Sequence, residues 1–195
     1  MPITYTNRKD VTYYLRRGQT KTGKPRYFFS RKDQGDLVDE LPAGFEIRES
    51  PNGIVSLARE KPRRILDSDV ELIQAALDRH PNKDLDCRLD VKADSITVYG
   101  RVGPTADVLV DIFTKLGLPD KPKGLDQARK ILDRDARYEP VLRFELEDEE
   151  ARIFSVERMT YTGQGGWLYL DSDRLQPLSS QLIPLLDTED FFELY

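Results

Sequence analysis

An α+β fold is predicted: an N-terminal antiparallel β meander module followed by a mixed helix and antiparallel-hairpin domain. Three observations predict it. Apolar residues recur at a period of two through the first 60 positions, and segments of period near 3.6 alternate with period-two pairs after residue 66. Charge also divides there. Residues 1–65 hold 14 Lys and Arg against 8 Asp and Glu, whereas residues 66–195 hold 16 against 27, so a chain of net charge −5 joins a basic head to an acidic body. The expected boundaries are a basic β-rich module over 1–60 and an acidic α+β domain over 61–195, with a candidate sub-boundary at 117–124.

In the module, "ITYT", "VTYYLRR" and "RYFFS" are rich in aromatic and β-branched residues, and "NRKD" and "TKTGKP" between them hold turn formers. A three-stranded meander is expected. "LPAGFEIRE" and "IVSLARE" flank "SPNG", whose Asn52-Gly53 pair signals a hairpin.

In the second part, "LDSDVELIQAALDRH" places Leu66, Val70, Ile73 and Leu77 at helical spacing, with Asp67 or Ser68 as candidate N-cap and Pro81 beyond the end. "LDCRLDV" and "ITVYG" alternate around "KADS", turning Leu85, Cys87, Leu89, Val91, Ile96 and Val98 inward and leaving Asp86, Arg88 and Asp90 as an outer charge ladder. Thr105 opens a second helix carrying Leu109, Ile112, Phe113 and Leu116, with Gly117 as its C′ residue; "LDQARKILDRDA" forms a third. "PVLRFELE" and "ARIFSVERM" read as a hairpin with Leu142, Phe144, Leu146, Phe154 and Val156 inward, followed by a strand "WLYL". A last helix, "LQPLSSQLIPLL", is apolar enough to dock on a sheet, and Phe191, Phe192 and Leu194 should tie down the tail.

The inventory narrows the chemistry. No apolar run approaches the roughly 20 residues that span a bilayer, and no signal-peptide stretch opens the chain, so no membrane partner and a cytoplasmic location are expected. One His and one Cys are too few for a zinc site or for Ser-His and Cys-His catalysis. His80 is read as a cap at the end of the first helix, and Cys87 as an apolar filler. "GQTKTGK" lacks phosphate-loop spacing and joins two strands, while "ELEDEE" is a solvated acidic hairpin. The triplet Asp90-Val91-Lys92 has the acid-x-Lys shape of metal-dependent nucleases, which keeps that activity as a second alternative. No cofactor, metal site or catalytic residue is expected.

Residues 1–32 carry nine basic side chains and a single acid, Asp10. Alternation places Tyr14 beside Arg16, and in the third strand puts Arg26, Phe28 and Ser30 on one face and Tyr27, Phe29 and Arg31 on the other, so whichever face is buried a ring, Phe28 or Tyr27, stands among cations that a purely solvated face would leave ring-free. This mixture suits a polyanion. Lys and Arg would neutralise phosphates, and the rings would stack on bases. The expected nucleic-acid-binding residues are Tyr14, Arg16, Arg17, Lys21, Lys24, Arg26, Phe28 and Arg31, with DNA or RNA as partner. The alternative is an adaptor, whose basic module docks on an acidic protein or on its own acidic domain, and whose acidic domain offers a protein-binding surface.

Overall fold

The structure, a computed structural model, describes residues 1–115, 125–160 and 166–194. Among these, ten strands in three antiparallel sheets accompany five α-helices, an α+β fold with a β-rich N-terminal region. The chain divides into two compact units, Met1–Lys61 and Pro62–Tyr195. The sub-boundary expected at 117–124, Leu116, Gly117, the Phe113 side chain and most of "TGQGG" lie outside the described residues.

The first unit is built from β1 (Thr4–Thr6), β2 (Thr12–Gln19) and β3 (Pro25–Ser30), ordered β1-β2-β3, and from a hairpin of β4 (Phe45–Glu49) and β5 (Val55–Arg59). Because β1 is only three residues long, it leaves half of the β2 edge unpaired, and the chain at Asp36–Val38 fills it. The Arg17 N–H donates to Asp36 O at 2.9 Å and the Val38 N–H to Leu15 O at 3.0 Å. Gly53, at φ 75°, turns the β4–β5 hairpin where the Asn-Gly pair signals it.

Pairing aligns Tyr5 with Tyr13 and Leu15 with Phe29, so these residues share one face. That face meets the hairpin. Leu15 is 0% exposed, and the Tyr5 hydroxyl donates to Glu49 Oε2 at 2.9 Å while the Arg8 N–H donates to Glu49 Oε1 at 3.0 Å. The hydrogen bond to the Glu49 carboxylate, with burial, raises the Tyr5 phenol above its ordinary pKa. The other face, with Tyr14, Arg16 and Phe28, is therefore turned away from the hairpin.

The second unit is a five-stranded sheet ordered β10-β9-β8-β7-β6, antiparallel throughout. Its strands are β6 (Cys87–Val91), β7 (Ser95–Val102), β8 (Arg137–Asp148), β9 (Ile153–Thr160) and β10 (Gly166–Arg174). Helices α2 (Ala106–Lys115) and α3 (Leu125–Asp135) lie between β7 and β8 in sequence, yet those strands are neighbours. Alternate residues Ile96, Val98, Leu142, Phe144, Phe154 and Val156 form a buried layer, covered by Ile73 of α1 (Asp67–Asp78) and by Leu178 and Leu182 of α4 (Leu175–Leu182). Each such side chain contributes about 1.5–3 kcal/mol on leaving water. Cys87, Leu89 and Val91 pack against this layer, as their alternation requires.

Four local expectations are corrected. Helix α1 starts at Asp67, so neither Asp67 nor Ser68 is its N-cap; Leu66 is, and lacking an acceptor side chain it receives only the return bond, its N–H donating to Asp69 Oδ2 at 2.7 Å. At the other end it is Arg79, not His80, that meets the last turn, with Nε donating to Ala75 O at 2.8 Å. His80 is buried. Asp86 is no outward charge: its Oδ2 accepts from the Tyr138 hydroxyl at 2.7 Å and from Arg101 Nη1 at 3.1 Å, beneath Arg88, whose Cζ stands 4.5 Å from the Tyr138 ring centroid. The last helix stops at Leu182, because Pro184 has no N–H for a continuing α-turn, and Ile183–Leu185 close as a 3-10 turn. The tail is tied down by Phe191, which α5 (Glu189–Phe192) buries, and by Arg158, which donates to Leu194 O at 3.0 Å and to Phe192 O at 3.2 Å; the Phe192 side chain takes no part, being 64% exposed.

Candidate functional site

The β2–β3 hairpin holds all eight residues singled out in the sequence, and its register distributes them. Tyr14 opposes Ser30, Arg16 opposes Phe28 and Gly18 opposes Arg26, which places Tyr14, Arg16, Phe28 and Arg26 on the face turned from the β4–β5 hairpin. Arg17 opposes Tyr27 on the other face. Arg31 lies past the end of β3 against Tyr13 of that same face, its Cζ 5.7 Å from the ring centroid and its Nη2 3.5 Å from the hydroxyl. Lys21 and Lys24 stand exposed in the turn. So the residues do not form one plane. Four share a face, two lie on the opposite face and two stand at the tip.

The turn is built to hold its shape. The Thr20 N–H donates to Lys24 O at 2.9 Å, the Gly23 N–H to Thr20 O at 2.9 Å, and the Lys24 N–H to Thr20 Oγ1 at 3.1 Å. Gly23 takes φ 77°, a conformation costly for a residue with a Cβ. The two lysines project from a fixed loop.

Arg16 and Phe28 form the centre of the face. A Cβ at Gly18 would stand 3.1 Å from Phe28 Cε1, so the ring lies across the one position of β2 that has no side chain. Two guanidinium groups border that ring, Arg16 at 5.8 Å and Arg26 at 6.0 Å from its centroid. The ring thus mounts two cations. On its far side, the Arg16 guanidinium packs on the backbone of Gly35, where a Cβ would stand 2.2 Å from Nη2. Gly35 has φ 100°, open to glycine and strained for other residues. Arg16 Nε is withdrawn from water and has no hydrogen-bond partner.

Among the described residues, none of Arg16, Arg17, Lys21, Lys24, Arg26 and Arg31 is in an ion pair. A protein normally pairs a half-buried guanidinium, because the desolvation it suffers is otherwise uncompensated. Arg16 is half-buried without such a partner, and the other five cations are exposed. Neither Gly18 nor Gly35 is visible as a site residue in the sequence. "DQGD" reads only as a loop, and the contact of Gly35 with Arg16 needs the chain to return along β2.

The acid-x-Lys triplet yields no comparable arrangement. Asp90 and Lys92 sit 4.0 Å apart, and among the described residues no three His, Cys, Asp or Glu side chains converge as a cation requires. No helix is long and apolar enough to cross a membrane. Comparison of the chain with protein-family models, with curated proteins and with solved structures finds no match.

Proposed function

We propose that the first unit binds DNA or RNA through the phosphate backbone, with the Arg16, Arg26 and Phe28 cluster at the centre and Lys21, Lys24, Arg17 and Arg31 at the margins. One observation carries this reading: six cations gather on one hairpin without a carboxylate among the described residues to neutralise them. Phosphates attract such groups strongly, because each neutralised phosphate releases condensed counterions. Phe28 contributes by fixing the two guanidinium groups. Tyr14, half-buried on the same face, is the ring left to contact a base or sugar.

Fluorescence anisotropy with labelled duplex and single-stranded oligonucleotides tests the reading. Since the cations lie on two faces and a tip, about four would engage phosphates at once, and the log-log salt slope for duplex DNA should be roughly −4. A flat salt response, or no binding at low salt, overturns it. An acidic protein would also meet these cations, but as a stoichiometric companion that survives nuclease treatment of the lysate.

A further inference from the structure

The pattern of exposure on the β2–β3 hairpin selects among nucleic acids. From Val11 to Lys32 the chain has no acidic side chain. Proteins that hold single strands do so on accessible rings, on which successive bases stack. Here all five rings of the hairpin, Tyr13, Tyr14, Tyr27, Phe28 and Phe29, are half-buried, whereas Arg17, Lys21, Lys24, Arg26 and Arg31 are exposed. Phe28 is further engaged by the protein itself, lying across Gly18 and bordered by two guanidinium groups. Hydrogen-bond donors stand out from this hairpin and rings do not, which favours a duplex over a single strand.

The shape of the hairpin narrows the choice again. Strand β1 pairs with β2 at Thr12–Tyr14, and the returning chain at Asp36–Val38 bonds to Leu15 and Arg17. Beyond Arg17, β3 is the only strand paired with β2 among the described residues, through Gly18 with Arg26 and Gln19 with Pro25, and the turn bearing Lys21 and Lys24 closes the end. The distal part is therefore a two-stranded ribbon. Its strands lie about 4.8 Å apart, and the major groove of B-DNA, about 12 Å wide, admits such a ribbon. The major groove of A-form RNA is too deep and narrow for side chains to read.

Arg26 stands in this ribbon. Gly18 faces it across the strands, so no side chain of β2 shields it, and the Phe28 ring lies 6.0 Å from its Cζ. Asp36, the acid that the returning chain brings beside Arg17, is on the outer edge of β2, whereas Arg26 belongs to β3. A guanidinium fork matches the O6 and N7 acceptors that guanine presents in the major groove.

We infer that the β2–β3 ribbon enters the major groove of duplex DNA, where Arg26 donates to guanine O6 and N7 while Arg16, Lys21 and Lys24 hold the neighbouring phosphates. This rests on the reading of the hairpin as a nucleic-acid site and adds which nucleic acid it takes and how a base is read.

Anisotropy titrations of the full chain with four labelled probes test it. The probes are a DNA duplex of mixed sequence with guanine on both strands, the RNA duplex of that sequence, one of the DNA strands alone, and the DNA duplex carrying 7-deazaguanine, in which a C–H replaces N7 and every phosphate is kept. The DNA duplex should bind about tenfold or more tightly than the RNA duplex or the single strand. 7-Deazaguanine should weaken binding by about fivefold or more and leave the salt slope unchanged. Arg26→Ala should bind the two DNA duplexes alike, whereas Lys24→Gln should still distinguish them. The four probes need no variant, so they decide the matter even if Arg26→Ala does not fold. No salt-dependent binding to any probe sinks the reading of the hairpin as a nucleic-acid site. Salt-dependent binding in which the RNA duplex or the single strand equals the DNA duplex, 7-deazaguanine has no effect, or Arg26→Ala still distinguishes the duplexes leaves that reading standing and overturns the major-groove assignment.

Discussion

Arg16 shows how a side chain of ordinary type comes to be held in one place. Its guanidinium lies between the Phe28 ring and the Gly35 backbone, with no carboxylate partner among the described residues. Holding a fork in this way removes part of the rotamer entropy that a mobile lysine loses on meeting phosphate. Arg16→Lys keeps the charge and loses the fork, so oligonucleotide affinity should fall by roughly 5- to 30-fold, about 1–2 kcal/mol, with the salt slope nearly unchanged. Gly35→Ala should match this loss without touching any charge, because its methyl group would occupy the space of Nη2. Lys24→Gln instead should lower the slope by about one and affinity modestly. If Gly35→Ala binds like the wild type in anisotropy, the Arg16 mount has no role.

Cys87 is the residue-scale counterpart in the second unit. Its thiol is pushed up to about 12 from 9.0, so the neutral form is the folded form. A group whose folded pKa is raised contributes stability that is complete below its unfolded pKa and fades as pH climbs from about 9 to about 12. Alkylation by iodoacetamide at pH 8 should be slower in the native chain than in urea by two to three orders of magnitude, roughly the ratio of thiolate fractions. Equal rates would show an open, ordinary thiol.

Among the elements, α1 depends on a partner distant in sequence. Asp69 accepts the Leu66 N–H at the start of the helix and also pairs with Arg152 Nη2, while Arg152 Nη1 donates to Arg64 O at 3.2 Å and its Cζ lies 5.3 Å from the Phe154 ring. One carboxylate therefore joins the helix start to the β8–β9 hairpin. Asp69→Ala should cost about 2–4 kcal/mol in urea unfolding, because the return bond is lost and Arg152 is stranded half-buried. Asp67→Ala, which removes an exposed pair with Arg63, should cost less than about 0.5 kcal/mol. Equal costs would remove Asp69 from this role.

At the scale of the molecule, each unit has its own buried residues and its own charge. Met1–Lys61 carries 12 basic against 8 acidic side chains and Pro62–Tyr195 carries 18 against 27, or net +4 and −9. Leu15 is the most deeply buried residue of the first unit, and the single tryptophan, Trp167, belongs to the second. Leu15→Ala, a core truncation worth about 2–5 kcal/mol, should abolish oligonucleotide binding and leave the urea midpoint of Trp167 fluorescence unchanged. A shifted midpoint would mean that the two cores unfold as one.

The primary structure by itself determined what depends on neighbours a few residues apart. Period two in "VTYYLRR" and "RYFFS", period 3.6 in "VELIQAAL" and the Asn52-Gly53 turn all act through local backbone geometry, so the strands, α1 and the basic hairpin were legible. Alternation alone also paired Tyr14 with Arg16. Tertiary structure decided the rest: that the face with Arg16 and Phe28 is the one turned from the β4–β5 hairpin, that Gly35 returns to support a guanidinium, that Asp69 rather than Asp67 serves α1, and that β7 finds β8 across two intervening helices. These are matters of which surfaces meet after the chain has closed, and no short-range preference encodes them. A carboxylate's value depends on whether a guanidinium 83 residues away arrives within reach, and a cation's on whether a carboxylate does not.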